Sequence, residues 1–177
     1  RSHADLSGMG TACTVLAVRG GEVLVAHVGD SRAYLVRGQH ARQITTDHSL
    51  VAQLVARQQL TAEEARHDPR RNVVTRSVGV APDVDVDVVA VGEPLQDRDT
   101  LVVCSDGLHG QMSDGEIAAL AMGDSLDDAC RDLIALANER GGPDNITVAL
   151  ARFERTGAPA GNPLGRWLRS FGRRRDR

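Results

Sequence analysis

Three aspartates stand directly beside strand-like apolar runs, and they are the residues of this chain best suited to chemistry. Asp30 and Asp106 each follow such a run, and Asp144 precedes one. A carboxylate at a strand end is rigidly directed and still reaches solvent. Carboxylate oxygens are preferred ligands of hard divalent cations, and a pair of bridged cations is a common device for hydrolysing phosphoesters. The three aspartates are therefore candidate metal ligands.

Each candidate also has a simpler explanation when it is taken alone. Asp30 could pair with Arg32, two residues along the chain. Asp106 precedes Gly107 and could form an Asx turn, although the glycine would also permit a close backbone approach. Asp144 follows a glycine pair and could belong to an ordinary helix-to-strand connection. No single motif decides between these explanations.

Other polar groups favour structural roles. We interpret Asp47 and His48 as a local hydrogen-bonding pair, and His109 as a bystander in the loop after Asp106. Three further aspartates alternate with valines, which predicts a strand with one solvated face rather than a metal site. They are Asp83, Asp85 and Asp87.

The first part of the chain predicts an antiparallel meander of β-strands. Gly20-Gly21 separates two apolar runs, which is typical of a β-hairpin. Strands are expected at residues 11–18, 22–28, 33–36 and 42–44.

Helical spacing and capping signals then predict four helices. The first begins near Leu50. Thr61 and Glu64 form a predicted capping box at the start of the second. Ser113 and Ser125 are the predicted N-caps of the last two. The last two helices are expected over 113–121 and 125–140, and further strands are expected over 84–88, 101–104 and 146–150.

Composition excludes several classes of function. The chain of 177 residues has no lysine, which excludes a P-loop lysine and Schiff-base chemistry. A net charge of -3 gives no general attraction to nucleic acid. Cys13, Cys104 and Cys130 lie in apolar runs and are interpreted as buried, reduced thiols, which favours the cytoplasm. No run is long enough to span a bilayer.

The composition changes near the end of the chain. We expect one domain over residues 1–154, followed by a linker and a basic tail over 155–177. The favoured interpretation of the tail is a disordered, solvated segment. The alternative is a short helix around Trp167, Leu168 and Phe171 that binds an acidic membrane surface or a partner.

Six short motifs follow one another along the chain: Gly8-Met9-Gly10-Thr11, Val28-Gly29-Asp30-Ser31-Arg32-Ala33-Tyr34, Thr46-Asp47-His48-Ser49, Asn72-Val73-Val74-Thr75-Arg76-Ser77-Val78-Gly79, Cys104-Ser105-Asp106-Gly107-Leu108 and Gly141-Gly142-Pro143-Asp144-Asn145-Ile146-Thr147-Val148. Their residues, order and predicted secondary structure resemble the metal-dependent PP2C-type (PPM) protein serine/threonine phosphatases, and most closely the bacterial branch. The resemblance extends from Gly8 to about Phe153.

The resemblance implies an α+β fold, an αββα sandwich of antiparallel sheets flanked by helices, with its N-terminal part missing. It implies two Mn²⁺ or Mg²⁺ ions, for which Asp106 and Asp144 match metal ligands. Asp30 matches an aspartate that, with Asp106, holds an accessory third ion. The stretch from about Leu50 to Asn72 matches a variable flap that bears on substrate access. No catalytic residue beyond the metal ligands and no substrate-binding residue is assigned.

The implied activity is direct hydrolysis of phosphoserine and phosphothreonine in proteins. Phosphorylated proteins and bacterial serine/threonine kinases are then the expected partners. A cytoplasmic monomer that binds no nucleic acid is expected.

The chain departs from the family pattern at its start. It lacks the phosphate-contacting arginine, the first acidic motif and the Asp-Gly-x-Gly-Gly motif. Two cations roughly 3.5 to 4 Å apart need a bridging carboxylate between them. We therefore expect the downstream part of a phosphatase domain, with little hydrolytic activity alone. The alternatives are a non-catalytic phosphatase-like binding or regulatory module, and an α/β domain without metal.

Overall fold

A pair of glycines in the left-handed region joins the first two strands. In the computed structural model, which describes residues 8–155, Gly20 and Gly21 have φ angles of 59° and 85°. Positive φ at both central residues is the geometry of the tight turns that match strand twist. Strands β1 (Cys13–Arg19) and β2 (Glu22–Val28) pair antiparallel along all their residues. The predicted hairpin is confirmed.

Within residues 8–155, seven strands form two antiparallel sheets. One sheet has the order β1-β2-β5 and the other β4-β3-β6-β7. The remaining strands are β3 (Arg32–Arg37), β4 (His40–Gln43), β5 (Asp87–Ala90), β6 (Thr100–Cys104) and β7 (Val148–Arg152), and the helices are α1 (Leu50–Ala56), α2 (Ala62–His67), α3 (Asp106–His109), α4 (Asp114–Ala121) and α5 (Leu126–Glu139).

Two apolar cores define the layers. Val23 and Val25 of the three-stranded sheet pack with Leu35 and Leu101 of the four-stranded sheet, so these faces meet. The other face of the four-stranded sheet packs against α4 and α5 in a second core that includes Tyr34. The mixed fold of antiparallel sheets and flanking helices agrees with the predicted class.

Local sequence signals correctly predict where helices α2, α4 and α5 begin. Thr61 with Glu64 and Ser113 with Glu116 form capping boxes at α2 and α4. The Ser125 side chain accepts the N–H of Asp128 at the start of α5. Side-chain capping satisfies backbone N–H groups that a helix start leaves free.

Strand β5 is shorter than predicted. It begins at Asp87 rather than at residue 84, and Val86 and Val88 are 50% and 61% exposed. Its partner β2 ends at Val28, where Gly29 turns the chain with a φ of +110°. In the register that pairs His27 with Asp87, residues 84 and 85 lie opposite residues 30 and 29, beyond the end of β2, and alternation alone could not reveal this.

The expectation of three buried thiols is wrong for one of them. Cys104 is buried, and burial raises its pKa to about 12. Cys130 is half-buried, whereas Cys13 is exposed at the start of the edge strand β1. All three thiols are free.

None of the helices within residues 8–155 has the length and apolar character needed to cross a membrane. The predicted basic tail falls outside the described residues, apart from residue 155.

Candidate functional site

The loops that carry Asp106 and Asp144 are joined by backbone hydrogen bonds. Strands β6 and β7 pair up to Cys104 and Val148. One residue further, the N–H of Ser105 donates to the carbonyl of Thr147 over 3.0 Å. The sheet therefore delivers both loops to the same edge.

Gly107 lets the two loops touch. A Cβ atom at this position would lie 2.5 Å from the carbonyl oxygen of Asn145 and 3.4 Å from that of Asp144. The Ser105 hydroxyl also donates to the Asn145 carbonyl over 3.1 Å. The close backbone approach predicted for Gly107 is confirmed, and any side chain here would push the Asp106 and Asp144 loops apart.

Asp30 reaches the same place from the turn between β2 and β3. The Nε2–H of His109 donates to the Asp30 carbonyl over 2.9 Å, a tautomer required because a carbonyl only accepts. Burial, and then the negative charge of Asp106, raise the pKa of the Asp30 carboxyl. Two carboxylates thus influence each other, and His109 has a positioning contact that the bystander interpretation missed.

The simpler explanation of Asp106 and Asp144 is present but uses only half of each carboxylate. Oδ1 of Asp106 accepts the N–H of Gly107 at 2.9 Å, and Oδ1 of Asp144 accepts the N–H of Asn145 at 2.7 Å. Within residues 8–155, neither Oδ2 atom receives a hydrogen bond. These local bonds orient each side chain and leave one oxygen free.

Arg32 does not form an ion pair with Asp30, as the simpler explanation required. Its guanidinium instead donates to both carboxylate oxygens of Asp47, with a shortest distance of 2.7 Å. Desolvation by burial and the hydrogen bond to Asp47 act on this arginine, and its pKa is raised overall. In the described part of the chain, Asp30, Asp106 and Asp144 form no ion pair. Their charges are therefore not offset by a bound side chain.

Asp47 and His48 have structural hydrogen-bonding roles, but they do not form the predicted local pair, since Asp47 binds Arg32 of β3 and His48 binds Gly29 and Asp87. His48 is buried, and its Nδ1 accepts the N–H of Gly29 at 3.0 Å. Its Nε2 contacts Asp87 Oδ2 at 3.0 Å. Asp87 is therefore not merely part of a solvated strand face, and that prediction is wrong for this residue.

The three aspartates line one cavity of about 1010 Å³. Helices α1 and α2 form one wall, to which Val51, Val55 and Arg66 contribute. The region matched to the flap thus borders the acidic site. Phosphate-sized and peptide-sized groups can enter a cavity of this volume.

The carboxylates fit a divalent cation as part of a ligand set. They are hard oxygen donors with free lone pairs and unbalanced charge, which favours a cation such as Mn²⁺ or Mg²⁺. In the part of the chain that the structure describes, however, no group of three or more His, Cys, Asp or Glu side chains is close enough to hold a metal by itself. A complete site would need further donors.

Comparisons with known proteins find similar proteins over most of the chain. The family model for protein phosphatase 2C matches residues 1–53. The serine/threonine phosphatase stp of Listeria welshimeri is 41% identical over 150 residues, which are 84% of this chain and 59% of that protein. Protein phosphatase PhpP of Streptococcus pneumoniae is 43% identical over 144 residues, which are 81% and 58% of the two chains.

Solved structures agree with the fold. The Streptococcus agalactiae serine/threonine phosphatase is 46% identical with a TM-score of 0.78, over 84% of this chain and 61% of that one. The catalytic domain of PstP in complex with two manganese ions is 33% identical with a TM-score of 0.76, over 85% and 62%. The chain thus spans about three fifths of the relatives it matches. It is similar to bacterial serine/threonine phosphatases and, over residues 1–53, to the protein phosphatase 2C family.

Proposed function

We propose that the protein containing this chain hydrolyses phosphoserine and phosphothreonine in other proteins, with the help of divalent cations. Asp106 and Asp144 are the proposed metal ligands, and Asp30 is proposed as a ligand of an accessory ion. The relatives named above are serine/threonine phosphatases. This supports the class of reaction, and the cavity supports its location.

One observation carries the proposal: the Asp106 and Asp144 loops are in contact at one sheet edge. Two strands that are distant in sequence bring together the loops that carry these carboxylates, and within residues 8–155 the Oδ2 atoms of both have no protein partner. Burial, and then the charge of Asp106, raise the pKa of the Asp30 carboxyl, and the second effect is a repulsion between like charges that a cation would relieve.

The side chains of this protein would bind the cations and hold the surrounding loops in place. Asp106 and Asp144 would each present the oxygen that does not accept its neighbouring N–H group. His109 would hold the backbone at Asp30, and α1 and α2 would border the substrate. The bound cations supply Lewis-acid activation of water and offset the negative charge of the phosphoryl group.

We propose Mn²⁺ or Mg²⁺ as the cofactor, two ions with an accessory third. Carboxylate ligands suit both ions. One similar structure, that of PstP, contains two manganese ions, which favours Mn²⁺ as the first ion to test.

A fusion protein tests the activity. The chain is joined to the portion of S. pneumoniae PhpP that lies outside the matched residues, and release of phosphate from a phosphothreonine peptide is measured with Mn²⁺. We expect turnover by the fusion and little or none by the chain alone. We expect Asp106→Asn or Asp144→Asn to reduce turnover by at least about 100-fold, since each removes a metal ligand.

Asp83→Asn is the matched control, because Asp83 is exposed and the same charge is lost. It should retain the turnover of the unaltered fusion. If Asp106→Asn and Asp144→Asn were as active as this control, the proposed roles of both carboxylates would be wrong.

A non-catalytic binding module is the second candidate. The observation that favours it is the incomplete set of metal donors within residues 8–155. A well-folded fusion that binds the phosphopeptide without hydrolysing it would support this candidate over the enzyme.

The remaining features are also proposals. We propose phosphorylated proteins and serine/threonine kinases as partners in bacterial signalling, and the cytoplasm as the location. We further propose that residues 1–154 are the downstream part of the phosphatase domain. Residues 155–177 are proposed as a linker and a basic tail.

A further inference from the structure

A buried histidine connects the turn that carries Asp30 with the edge of the three-stranded sheet. The backbone of His48 donates its N–H to the carbonyl of Gly29 over 2.7 Å. Its ring nitrogen Nδ1 accepts the N–H of the same glycine over 3.0 Å. The N–H and the carbonyl of Gly29, the residue before Asp30, are therefore both hydrogen-bonded to His48.

The turn has little freedom on its other side. Gly29 has a φ of +110°, and a Cβ atom on it would lie 2.4 Å from the Cβ of Ala12. His109 binds the carbonyl of Asp30 itself. The position of the Asp30 carboxylate in the cavity thus depends on contacts with a few fixed neighbours.

The tautomer of His48 follows from these contacts. Nδ1 accepts a backbone N–H, so in the neutral ring the proton is on Nε2. Nε2–H then donates to Oδ2 of Asp87 over 3.0 Å. Oδ1 of Asp87 accepts Nη1 of Arg76 over 2.6 Å. The Gly29 N–H therefore fixes the tautomer, and Gly29 and Asp87 together fix the ring orientation.

Packing fixes the ring further. The imidazole of His48 lies against that of His27, with 4.8 Å between ring centroids. His48 is 6% exposed and His27 is 2% exposed. A ring packed and bonded at both nitrogens is a rigid support for the turn that it contacts.

We propose that His48 is a positioning residue for the Asp30 carboxylate, and that Asp87 acts through His48. This inference rests on the proposed cation site. Neither residue lines the cavity, so both would act only through Gly29. Groups that orient metal ligands from outside the first layer commonly change metal affinity by roughly 10- to 100-fold.

Two substitutions of the same histidine separate its roles. In His48→Asn the amide oxygen takes the approximate place of Nδ1 and can accept the Gly29 N–H. In His48→Gln the amide takes the approximate place of Nε2 and serves Asp87 instead. We expect His48→Asn to keep slow hydrogen exchange at the Gly29 amide, measured by NMR, and His48→Gln to lose it.

The second readout is the Mn²⁺ affinity of the fusion with the PhpP portion and of its variants, measured by electron paramagnetic resonance. We expect His48→Gln to weaken binding at the Asp30 site by about tenfold and His48→Asn to restore most of that loss. Asp87→Ala should also weaken Mn²⁺ binding at the Asp30 site. Asp87 is partly exposed at the sheet edge, so this variant should fold, and Asp83→Ala removes the same charge as a control.

The outcomes separate the two proposals. Absence of Mn²⁺ binding by the unaltered fusion would overturn the cation site and this inference together. If the unaltered fusion binds Mn²⁺ and His48→Gln, Asp87→Ala and Asp83→Ala bind it with the same affinity, the role of His48 alone would be overturned.

Discussion

Within residues 8–155, two aspartates make a structural contact that leaves one oxygen of each carboxylate available for a ligand. Asp106 and Asp144 each bind the next backbone N–H through Oδ1 and leave Oδ2 free. An ordinary turn and a metal ligand are therefore not exclusive explanations of the same residue. The local hydrogen bond fixes the side chain before a ligand arrives, and this lowers the entropy cost of binding the ligand.

Buried His27 should make stability depend on pH. Burial, and then the neighbouring His48, lower its pKa from the ordinary 6.5. Between the lowered value and 6.5 the unfolded chain binds more protons than the folded one, so the free energy of unfolding falls as the pH drops. Above pH 6.5 this loss is absent. We predict a steeper fall below about pH 6.5 in the unaltered chain than in His27→Gln, measured by urea denaturation.

Exposed His40 provides the control. His40→Gln should leave the pH dependence of the unaltered chain in place. Parallel curves for the unaltered chain and His27→Gln would show that His27 does not contribute in this way.

At the scale of elements, two helices have the same cap and different packing. Helices α2 and α4 both begin with a capping box, but α2 buries no residue whereas α4 buries Ile117, Ala118 and Ala121. We predict that Ser113→Ala lowers the free energy of global unfolding by about 1 kcal/mol. Thr61→Ala should instead increase local opening of α2, because local unfolding costs less where few apolar contacts are lost.

Denaturant midpoints report the first effect and amide hydrogen exchange in α2 the second. An equal shift of the denaturation midpoint in both variants would contradict the distinction, because it would mean that α2 unfolds only with the whole molecule.

Elements with local signals could be predicted, and those that depend on distant partners could not. The glycine turn and the caps Thr61, Ser113 and Ser125 need only neighbouring residues, and all are correct. The start of β5 depends on where β2 ends, about sixty residues earlier in the chain, so the valine alternation placed it too early. The pair of Arg32 with Asp47 is likewise absent from any local pattern, because it crosses from β3 to a loop.

The site itself could be located in advance only through the combination of motifs. Asp30, Asp106 and Asp144 were each ambiguous alone, and the order of all six motifs favoured one shared site. The contact of His109 with the Asp30 carbonyl joins residues 79 positions apart, and the short sequence around His109 contains no signal for it.

At the scale of the whole molecule, one face of the three-stranded sheet is apolar and open within residues 8–155. Val15, Ala26 and Val88 are in register across β1, β2 and β5, and Val15 and Val88 are 51% and 61% exposed. Their neighbour Val25 points into the core and is 1% exposed. Exposed apolar faces favour association with another surface, so the expected monomer requires that something cover this one.

We predict that the chain alone self-associates in a concentration-dependent manner, measured by sedimentation velocity. The double variant Val15→Thr and Val88→Thr should reduce this association, because threonine keeps the shape and adds a hydroxyl. Val80→Thr is the control, since Val80 is 60% exposed but lies outside the strands. A monomer at all concentrations would contradict the prediction.

Calorimetric titration of the fusion with Mn²⁺ tests the central claim most directly, because it needs neither substrate nor turnover. We predict that the unaltered fusion binds Mn²⁺ and is stabilised by it, and that Asp106→Asn weakens the binding and reduces the stabilisation. The same Mn²⁺ affinity in the unaltered fusion and in Asp106→Asn would contradict the assignment of the acidic edge as a metal site.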